Sequence, residues 1–125
     1  MTSRKEARRD ALFVLYQWDV TGQPLASLHE GGLDPYSVEV AEGVAAEAAA
    51  LDARIDGASS DWSADRLGAV ERNVLRIALW ELDRSEVPLE VAIDEAVLLA
   101  KRYSSEDAGR LVNGILGRVA RERTR

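Results

Sequence analysis

Apolar residues along this chain recur mostly at steps of three and four, the spacing of one face of an α-helix. The first stripe follows Ser3, which forms a capping-box pattern with Glu6. The stripe consists of Ala7, Ala11, Val14, Leu15 and Trp18. A loop-like segment follows over residues 22–34, with Leu25 and Leu28 as its candidate anchors on the core.

The next two stripes predict a long second helix and an apolar central helix. Asp34 followed by Pro35 is typical of an N-cap and a first helical position, and the stripe behind them continues to Gly57. The segment 67–82 is apolar over so much of its circumference that it indicates a helix surrounded by others. Its N-terminal part is predicted to form a separate short turn that breaks near Gly68.

Two more helices complete the pattern. Residues 91–103 carry one stripe, and residues 104–107 cap a last helix with acidic side chains in its first turn, where the helix dipole favours them. No segment shows the strict alternation of a β-strand. The pattern therefore predicts an all-α protein, a single domain over residues 1–125 with five to seven helices.

Composition argues against a catalytic or metal-binding protein. The chain is 46% hydrophobic and 30% charged, contains no cysteine, and has His29 as its one histidine. The acidic pairs at 94–95 and 106–107 are neighbours on helices, so their side chains point in different directions and do not share a proton or a metal. We predict no catalytic residue, no metal and no cofactor.

The chain carries no recognisable membrane or export signal. No apolar run approaches the roughly 18 residues needed to span a bilayer. The charged N-terminus, residues 1–6, is not followed by the apolar region of a signal peptide. The sequence therefore predicts a soluble, cytoplasmic protein with no membrane partner.

Charge is unevenly distributed along the chain. The net charge of −6 argues against a generic nucleic-acid binder. However, residues 1–10 carry +2, residues 30–65 carry −8, and residues 118–125 carry +3. Two basic ends around an acidic middle are typical either of solvated tails or of a localised site for a polyanion.

The first helix has a second face in addition to its core stripe. Five side chains fall in one sector of roughly 100°, and they are Lys5, Arg8, Arg9, Leu12 and Tyr16. Bases interleaved with an aromatic ring suit single-stranded RNA, because the bases pair with phosphates and the ring stacks on a nucleobase. The alternative is that Leu12, Phe13 and Tyr16 pack on a neighbouring helix while the arginines are solvated.

A second basic cluster lies around the start of the last helix. Lys101 and Arg102 end one helix and Arg110 lies in the next, so they either complement helix dipoles or extend a phosphate-binding track. Asn113 in the same helix could form hydrogen bonds either with a loop backbone or with RNA. Gly114 interrupts a helical pattern, which favours close helix packing at that position.

Five ordered motifs resemble the NusB family of bacterial transcription antitermination factors. They are ARRDALFVLYQW at 7–18, ERNVLRIALWEL at 71–82, VPLEVAIDEAV at 87–97, AKRYSSED at 100–107 and LVNGIL at 111–116. The strong resemblance covers residues 4–18 and 67–119, whereas residues 22–62 match only in helical layout.

The resemblance implies both a fold and a function. Members of this family are all-α, with two small helical bundles packed together, and they are not enzymes. They bind the boxA element of ribosomal RNA operon transcripts jointly with NusE, which is also a ribosomal small-subunit protein. The complex loads onto elongating RNA polymerase, suppresses premature termination and supports ribosomal RNA synthesis.

The resemblance also implies which residues form the sites. Together with Arg9 from the pattern above, the predicted RNA-binding residues are Arg4, Lys5, Arg8, Tyr16, Lys101, Arg102, Asp107, Arg110 and Leu111. The predicted NusE-binding residues are Glu71, Arg72 and Arg76. Glu6 stands where relatives often have a base, and Leu111 where they often have Phe. Both departures are expected to weaken RNA binding by this chain alone.

Three alternatives accompany this interpretation. Some family members form homodimers through the first helix, which would cover the RNA-binding face. A helical interaction scaffold that binds no RNA is a second possibility. Certain ribosomal RNA methyltransferases carry a similar N-terminal module; the 125 residues have no room for their cofactor-binding domain, so this alternative requires the sequence to be a fragment.

Overall fold

The first helix, α1, spans Arg4–Thr21 and has the predicted cap. The computed structural model describes residues 3–29, 31–60, 62–84 and 86–123. The Ser3 side chain accepts a hydrogen bond from the backbone N–H of Glu6 at 3.1 Å, which satisfies one free N–H of the first turn. Gly22 ends the helix with φ +73°, a conformation that glycine adopts without a steric penalty.

The second predicted helix is two helices in the structure. A short α2 at Ala26–His29 precedes α3, which spans Pro35–Ala46 and is capped by Asp34 as predicted. α4 spans Ala48–Ala58. The prediction of one helix to Gly57 is wrong because α3 packs on α1 and α5, whereas α4 packs on α5 and α7. The stripe must therefore change direction, and it does so at Glu47, whose φ is −109°.

The C-terminal half follows the predicted layout. A 3₁₀ turn at Ala64–Arg66 precedes Gly68, and α5 then spans Ala69–Arg84. α6 spans Leu89–Tyr103 and α7 spans Glu106–Arg123. The part of the chain that the structure describes contains seven α-helices and no strand, which confirms the all-α prediction.

Helix α5 is the central element of the core. It contacts α1, α3, α4, α6 and α7, and its residues from Asn73 to Leu82 are all buried. α1 packs on α2 and α3 at one side of α5, and α6 packs on α7 at another. This arrangement confirms the predicted pair of small bundles and sets the exposed sides of α1, α6 and α7.

α7 carries its basic residues to Arg123, and Arg125, which contributes to the predicted basic C-terminus, lies outside the described residues. Among the helices described, none is both long and apolar enough to cross a bilayer.

Candidate nucleic-acid interface

A row of basic and aromatic side chains runs along the outer side of α1. It contains Lys5, Arg9, Phe13 and Tyr16, which follow one another at helical steps of four and three. The two aromatic residues are each 42% exposed. Phe13 meets the ring of Tyr103 on α6 edge to face, with 5.0 Å between ring centroids. The α1 row therefore continues onto α6.

Arg8 does not belong to this row, contrary to the prediction. Its side chain is buried, and Nε donates to both carboxylate oxygens of Glu81 on α5, at 2.9 and 2.8 Å. Leu12, predicted in the same sector, is only 1% exposed. Both residues lie on the side of α1 that α3 and α5 cover.

A signal in the sequence could have identified the role of Arg8. Glu81 is the one charged residue in the apolar run 77–82 of the central helix, and a buried carboxylate requires a cation or several hydrogen-bond donors. The Tyr36 hydroxyl also donates to this carboxylate. Burial of the phenol raises the pKa of Tyr36 well above its usual range, and the hydrogen bond to Glu81 adds to this effect.

Arg4 lies beside α3, away from the row. Its guanidinium carbon is 3.6 Å from the centroid of the Tyr36 ring, a cation–π distance. Arg4 and Tyr36 line a groove of about 400 Å³ together with Ser3, Ala7, Asp34, Pro35 and Glu39. The structure therefore separates Arg4 from the other predicted RNA-binding residues.

Two adjoining grooves define a surface across α1, α6 and α7. The α1–α6 groove has a volume of about 220 Å³ and is lined by Lys5, Glu6, Arg9, Glu95, Leu98, Leu99, Arg102 and Tyr103. The α6–α7 groove has a volume of about 420 Å³ and is lined by Asp94, Val97, Leu98, Lys101, Gly109, Arg110 and Asn113. Leu98, 48% exposed, belongs to both grooves. We call these two grooves, together with the row of Lys5, Arg9, Phe13 and Tyr16 on α1, the α1–α6–α7 surface.

Cations on this surface alternate with carboxylates. Four of them have a carboxylate partner, in the pairs Lys5–Glu95, Arg9–Asp10, Lys101–Glu106 and Arg110–Asp107. These pairs are solvated and contribute little to stability, so a phosphate can replace the carboxylate at small cost. No carboxylate of the described residues lies within 4.0 Å of the Arg102 guanidinium, which is 5.6 Å from the Tyr103 ring centroid.

The two arginines predicted to bind NusE form a network inside the protein. Asp19 of α1 accepts hydrogen bonds from Arg72 at 2.8 Å, Asn73 at 2.9 Å and Arg76 at 3.2 Å. Arg76 also donates twice to Asp52 of α4, at 2.8 and 2.7 Å. Arg76 thus joins α5 to α1 and α4, whereas Arg72 joins α5 to α1 and donates to the backbone carbonyls of Ala64 and Leu67 beside the 3₁₀ turn.

The same network fixes the charge of Asp19. Burial acts to raise the pKa of this carboxyl, but the hydrogen bonds from Arg72 and Asn73 and the positive charges of Arg72 and Arg76 lower it below its usual value. Of the three predicted NusE-binding residues, Glu71 is the one outside this network. It is half-buried.

Two glycines of α7 have different surroundings. A Cβ at Gly109 would lie 2.5 Å from Cγ of Lys101, so the close approach of α6 and α7 occurs there. A Cβ at Gly114 would meet no atom within 4 Å, so the prediction of close packing at Gly114 is wrong.

Among the described residues, no group of three or more His, Cys, Asp or Glu side chains could hold a metal ion.

Comparison with known proteins identifies the family. The family model described as the NusB family matches residues 5–121. This chain belongs to the NusB family. The transcription antitermination protein NusB of Rubrobacter xylanophilus is 46% identical over 121 residues, which are 91% of this chain and 87% of that protein.

Solved NusB structures share the whole fold. T. maritima NusB is 35% identical, with a TM-score of 0.86 over 97% of this chain and 92% of that one. A chain in the crystal structure of the antitermination factors NusB and NusE in complex with double-stranded RNA is 32% identical. Its TM-score is 0.82, over 95% of this chain and 96% of that one.

Three further residues that the sequence analysis singled out have different surroundings in this NusB-family member. Glu6 lines the α1–α6 groove and adds a negative charge to it. Leu111 is half-buried and packs against the core. Asp107 is exposed and contacts Arg110. The sequence patterns missed Asp94 and Leu98 as parts of the surface, because only the packing of α6 with α1 and α7 brings them to one side. The patterns assigned Phe13 to helix packing alone, although it follows Lys5 and Arg9 at helical steps of four.

Proposed function

We propose that this chain is a cytoplasmic transcription antitermination factor and not an enzyme. It binds the boxA element of ribosomal RNA operon transcripts together with NusE, and the complex acts on elongating RNA polymerase. The observation that carries the proposal is the α1–α6–α7 surface in a chain similar to NusB from a complex of NusB, NusE and double-stranded RNA. The whole chain, residues 1–125, acts as a single domain.

The α1–α6–α7 surface supplies both kinds of contact that RNA requires. Its exposed or half-exposed cations are spaced along three helices and suit successive phosphates, and they are Lys5, Arg9, Lys101, Arg102 and Arg110. The exposed rings of Phe13 and Tyr16 offer faces on which nucleobases stack. Arg8 has no part in this contact, because its guanidinium is buried against Glu81.

The balance of charge on the surface favours RNA binding jointly with a partner protein over binding by this chain alone. Four of the five cations have carboxylate partners, and the net charge of the chain is −6. Both features weaken attraction for RNA at a distance. NusE supplies additional RNA contacts and docks next to α5, where Glu71 contacts it.

Fluorescence anisotropy with a labelled boxA RNA tests this proposal. Binding is measured with and without NusE, at several salt concentrations, and against a scrambled RNA. We expect boxA to bind more tightly than the scrambled RNA, most tightly with NusE, and with a steep decrease in affinity as salt rises. Equal binding of both RNAs in the presence of NusE would overturn the proposal.

A matched pair of variants locates the contact. Arg102→Gln removes an exposed guanidinium of the surface, and Arg54→Gln removes an exposed guanidinium that pairs with Asp83 elsewhere. We expect R102Q to lower the salt slope by about one and the affinity roughly tenfold at 0.1 M salt. R54Q should leave both unchanged. Equal effects of the two variants would contradict the assignment of this surface.

One observation favours a second state of the protein. Phe13, Tyr16 and Val20 form an exposed apolar stripe on α1, and Val20 is 58% exposed. A second copy of the chain that packs on this stripe would form a homodimer and cover part of the RNA-binding surface. Light scattering after size exclusion at tens of micromolar protein tests this. A monomer at all concentrations would contradict the homodimer, and the stripe would then be available to RNA and NusE.

A further inference from the structure

Two polar side chains in the α6–α7 groove have no partner among the residues that the structure describes. Asp94 on α6 and Asn113 on α7 are both exposed and both line the groove. Neither makes a hydrogen bond or an ion pair with any of the described residues. This distinguishes Asp94 from the nearby acids Glu95 and Glu106, which pair with lysines.

The rest of the groove combines apolar contact with positive charge. Val97 and Leu98 contribute apolar surface, and Leu98 is 48% exposed. Lys101 and Arg110 contribute cations. Gly109 presents no side chain, and the stem of Lys101 lies against it, since a Cβ there would be 2.5 Å from Lys101 Cγ.

The dimensions and chemistry of the groove fit a planar heterocycle attached to a phosphate. Its volume is about 420 Å³, within the range of about 300–1,000 Å³ typical of sites for small organic ligands. Apolar side chains can contact the face of a ring, a carboxylate and an amide can bond to its edge, and the cations can bind the flanking phosphates.

We infer that the α6–α7 groove reads one unpaired nucleobase of the bound RNA through Asp94 and Asn113. This inference rests on the proposed function and adds a specificity-determining site to it. The cations of the surface bind phosphates and are indifferent to sequence, whereas these two side chains meet a base edge. The groove thereby makes a surface of otherwise sequence-independent contacts selective at one nucleotide.

The donor and acceptor pattern defines which bases fit. A carboxylate only accepts hydrogen bonds, and the Asn113 amide both donates and accepts. Cytosine, adenine and guanine carry an exocyclic amino group that donates to a carboxylate, whereas uracil carries a carbonyl at the corresponding position. The groove should therefore prefer an amino-bearing base to uracil.

A panel of RNAs and variants tests this directly. Each nucleotide of the boxA RNA is replaced in turn, and affinity is measured with NusE for the wild type, Asp94→Asn, Asn113→Ala and Lys101→Gln. At one RNA position, we expect the wild type to prefer an amino-bearing base over uracil by about fivefold or more. D94N and N113A should reduce that preference below about twofold and leave the salt slope unchanged.

The lysine variant is the matched control for a phosphate contact. K101Q should weaken binding to every RNA of the panel by a similar factor, lower the salt slope by about one and keep the base preference. Because Asp94, Lys101 and Asn113 are all exposed, these variants are expected to fold, and circular dichroism checks this.

A titration with mononucleotides examines the groove without NusE. We expect cytidine monophosphate to shift the NMR signal of the Asn113 side-chain amide more than uridine monophosphate does. Asn113→Ala should also leave the affinity for NusE in the absence of RNA unchanged. A loss of NusE affinity would assign the groove to the protein partner and overturn the inference.

Failure of this inference differs from failure of the proposed function. If boxA binds selectively but D94N and N113A keep the full base preference, the groove does not read a base, and the proposed function stands. If the wild type binds no RNA selectively even with NusE, both are refuted.

Discussion

The buried pair of Arg8 and Glu81 offers a quantitative test of how the structure separates a structural arginine from the RNA-binding ones. The Arg8 side chain is 7% exposed and the Glu81 side chain 2% exposed, and two hydrogen bonds join them. We consider Arg8→Met, Glu81→Gln and the double variant. Each single variant leaves one buried group without its charged partner.

The expected magnitude follows from this burial. Removing one partner of a buried ion pair costs about 3–5 kcal/mol of the free energy of unfolding, a large share of the roughly 5–15 kcal/mol typical of a folded domain. For a chain of this length, the midpoint of thermal unfolding should fall by about 10–20 °C. In the double variant no charge is left buried, and the amide that replaces the Glu81 carboxylate can still accept from Tyr36 through its carbonyl oxygen.

A double-mutant cycle measures the coupling. Urea unfolding of the four proteins, followed by circular dichroism, should show the double variant losing less stability than the two single variants together, by about 2 kcal/mol or more. Additive losses would refute the buried pair. Losses below about 1 kcal/mol in both single variants would also refute it, because such values belong to exposed pairs.

The same double variant tests the role of Arg8 toward RNA. The folded protein should bind boxA RNA with NusE as the wild type does, since the Arg8 guanidinium faces Glu81 and not the α1–α6–α7 surface. If the salt slope falls by about one in this variant, Arg8 does contact a phosphate, and the separation drawn from the structure is wrong.

Other predictions concern stability. The lowered pKa of Asp19 contributes stability above its usual value of 3.8 that is lost as the pH falls through the lowered pKa. Asp19→Asn should cost about 2 kcal/mol near neutral pH, and urea unfolding should show the difference from the wild type closing in acid. The raised pKa of Tyr36 contributes stability below about pH 10 that is lost as the pH rises toward the raised value. Ultraviolet titration of the wild type against Tyr36→Phe should show a phenol that ionises late; a difference spectrum with an ordinary midpoint would contradict this. Gly43→Ala should cost about 1–3 kcal/mol, because the new Cβ would overlap the indole ring of Trp80 at Nε1. Gly114→Ala meets no atom and should add about 1 kcal/mol; urea midpoints that move in the same direction would refute this contrast.

Local patterns predicted the helices well where one partner covers one stripe. The Ser3 cap, the Asp34–Pro35 start, the turn before Gly68 and the central position of α5 are all present in the structure. The pattern failed at Glu47, where one continuous stripe serves two different neighbours. Periodicity indicates which side of a helix is apolar. It does not indicate that one part of this side packs on one neighbouring helix and the next part on another.

Assigning charged residues from the sequence had a similar limit. Lys5, Arg9, Lys101, Arg102 and Arg110 are exposed or half-exposed, as a solvent-facing contact requires. Three other arginines of the predicted sites point into the protein, and they are Arg8, Arg72 and Arg76. The sequence shows the same residue type at all of these positions, and the distinction depends on carboxylates that are distant along the chain.

The sequence by itself determined the family, the helical character of the chain and the presence of basic clusters near residues 1–10 and 101–110. Those properties depend on neighbours within a few residues and on ordered motifs, which a linear pattern contains. Only the tertiary structure decided that Arg8 pairs with Glu81, 73 positions away, and that Asp94 and Asn113 line one groove. The physical reason is that burial of a charge and the shape of a groove depend on how separate helices pack, and no local spacing encodes that.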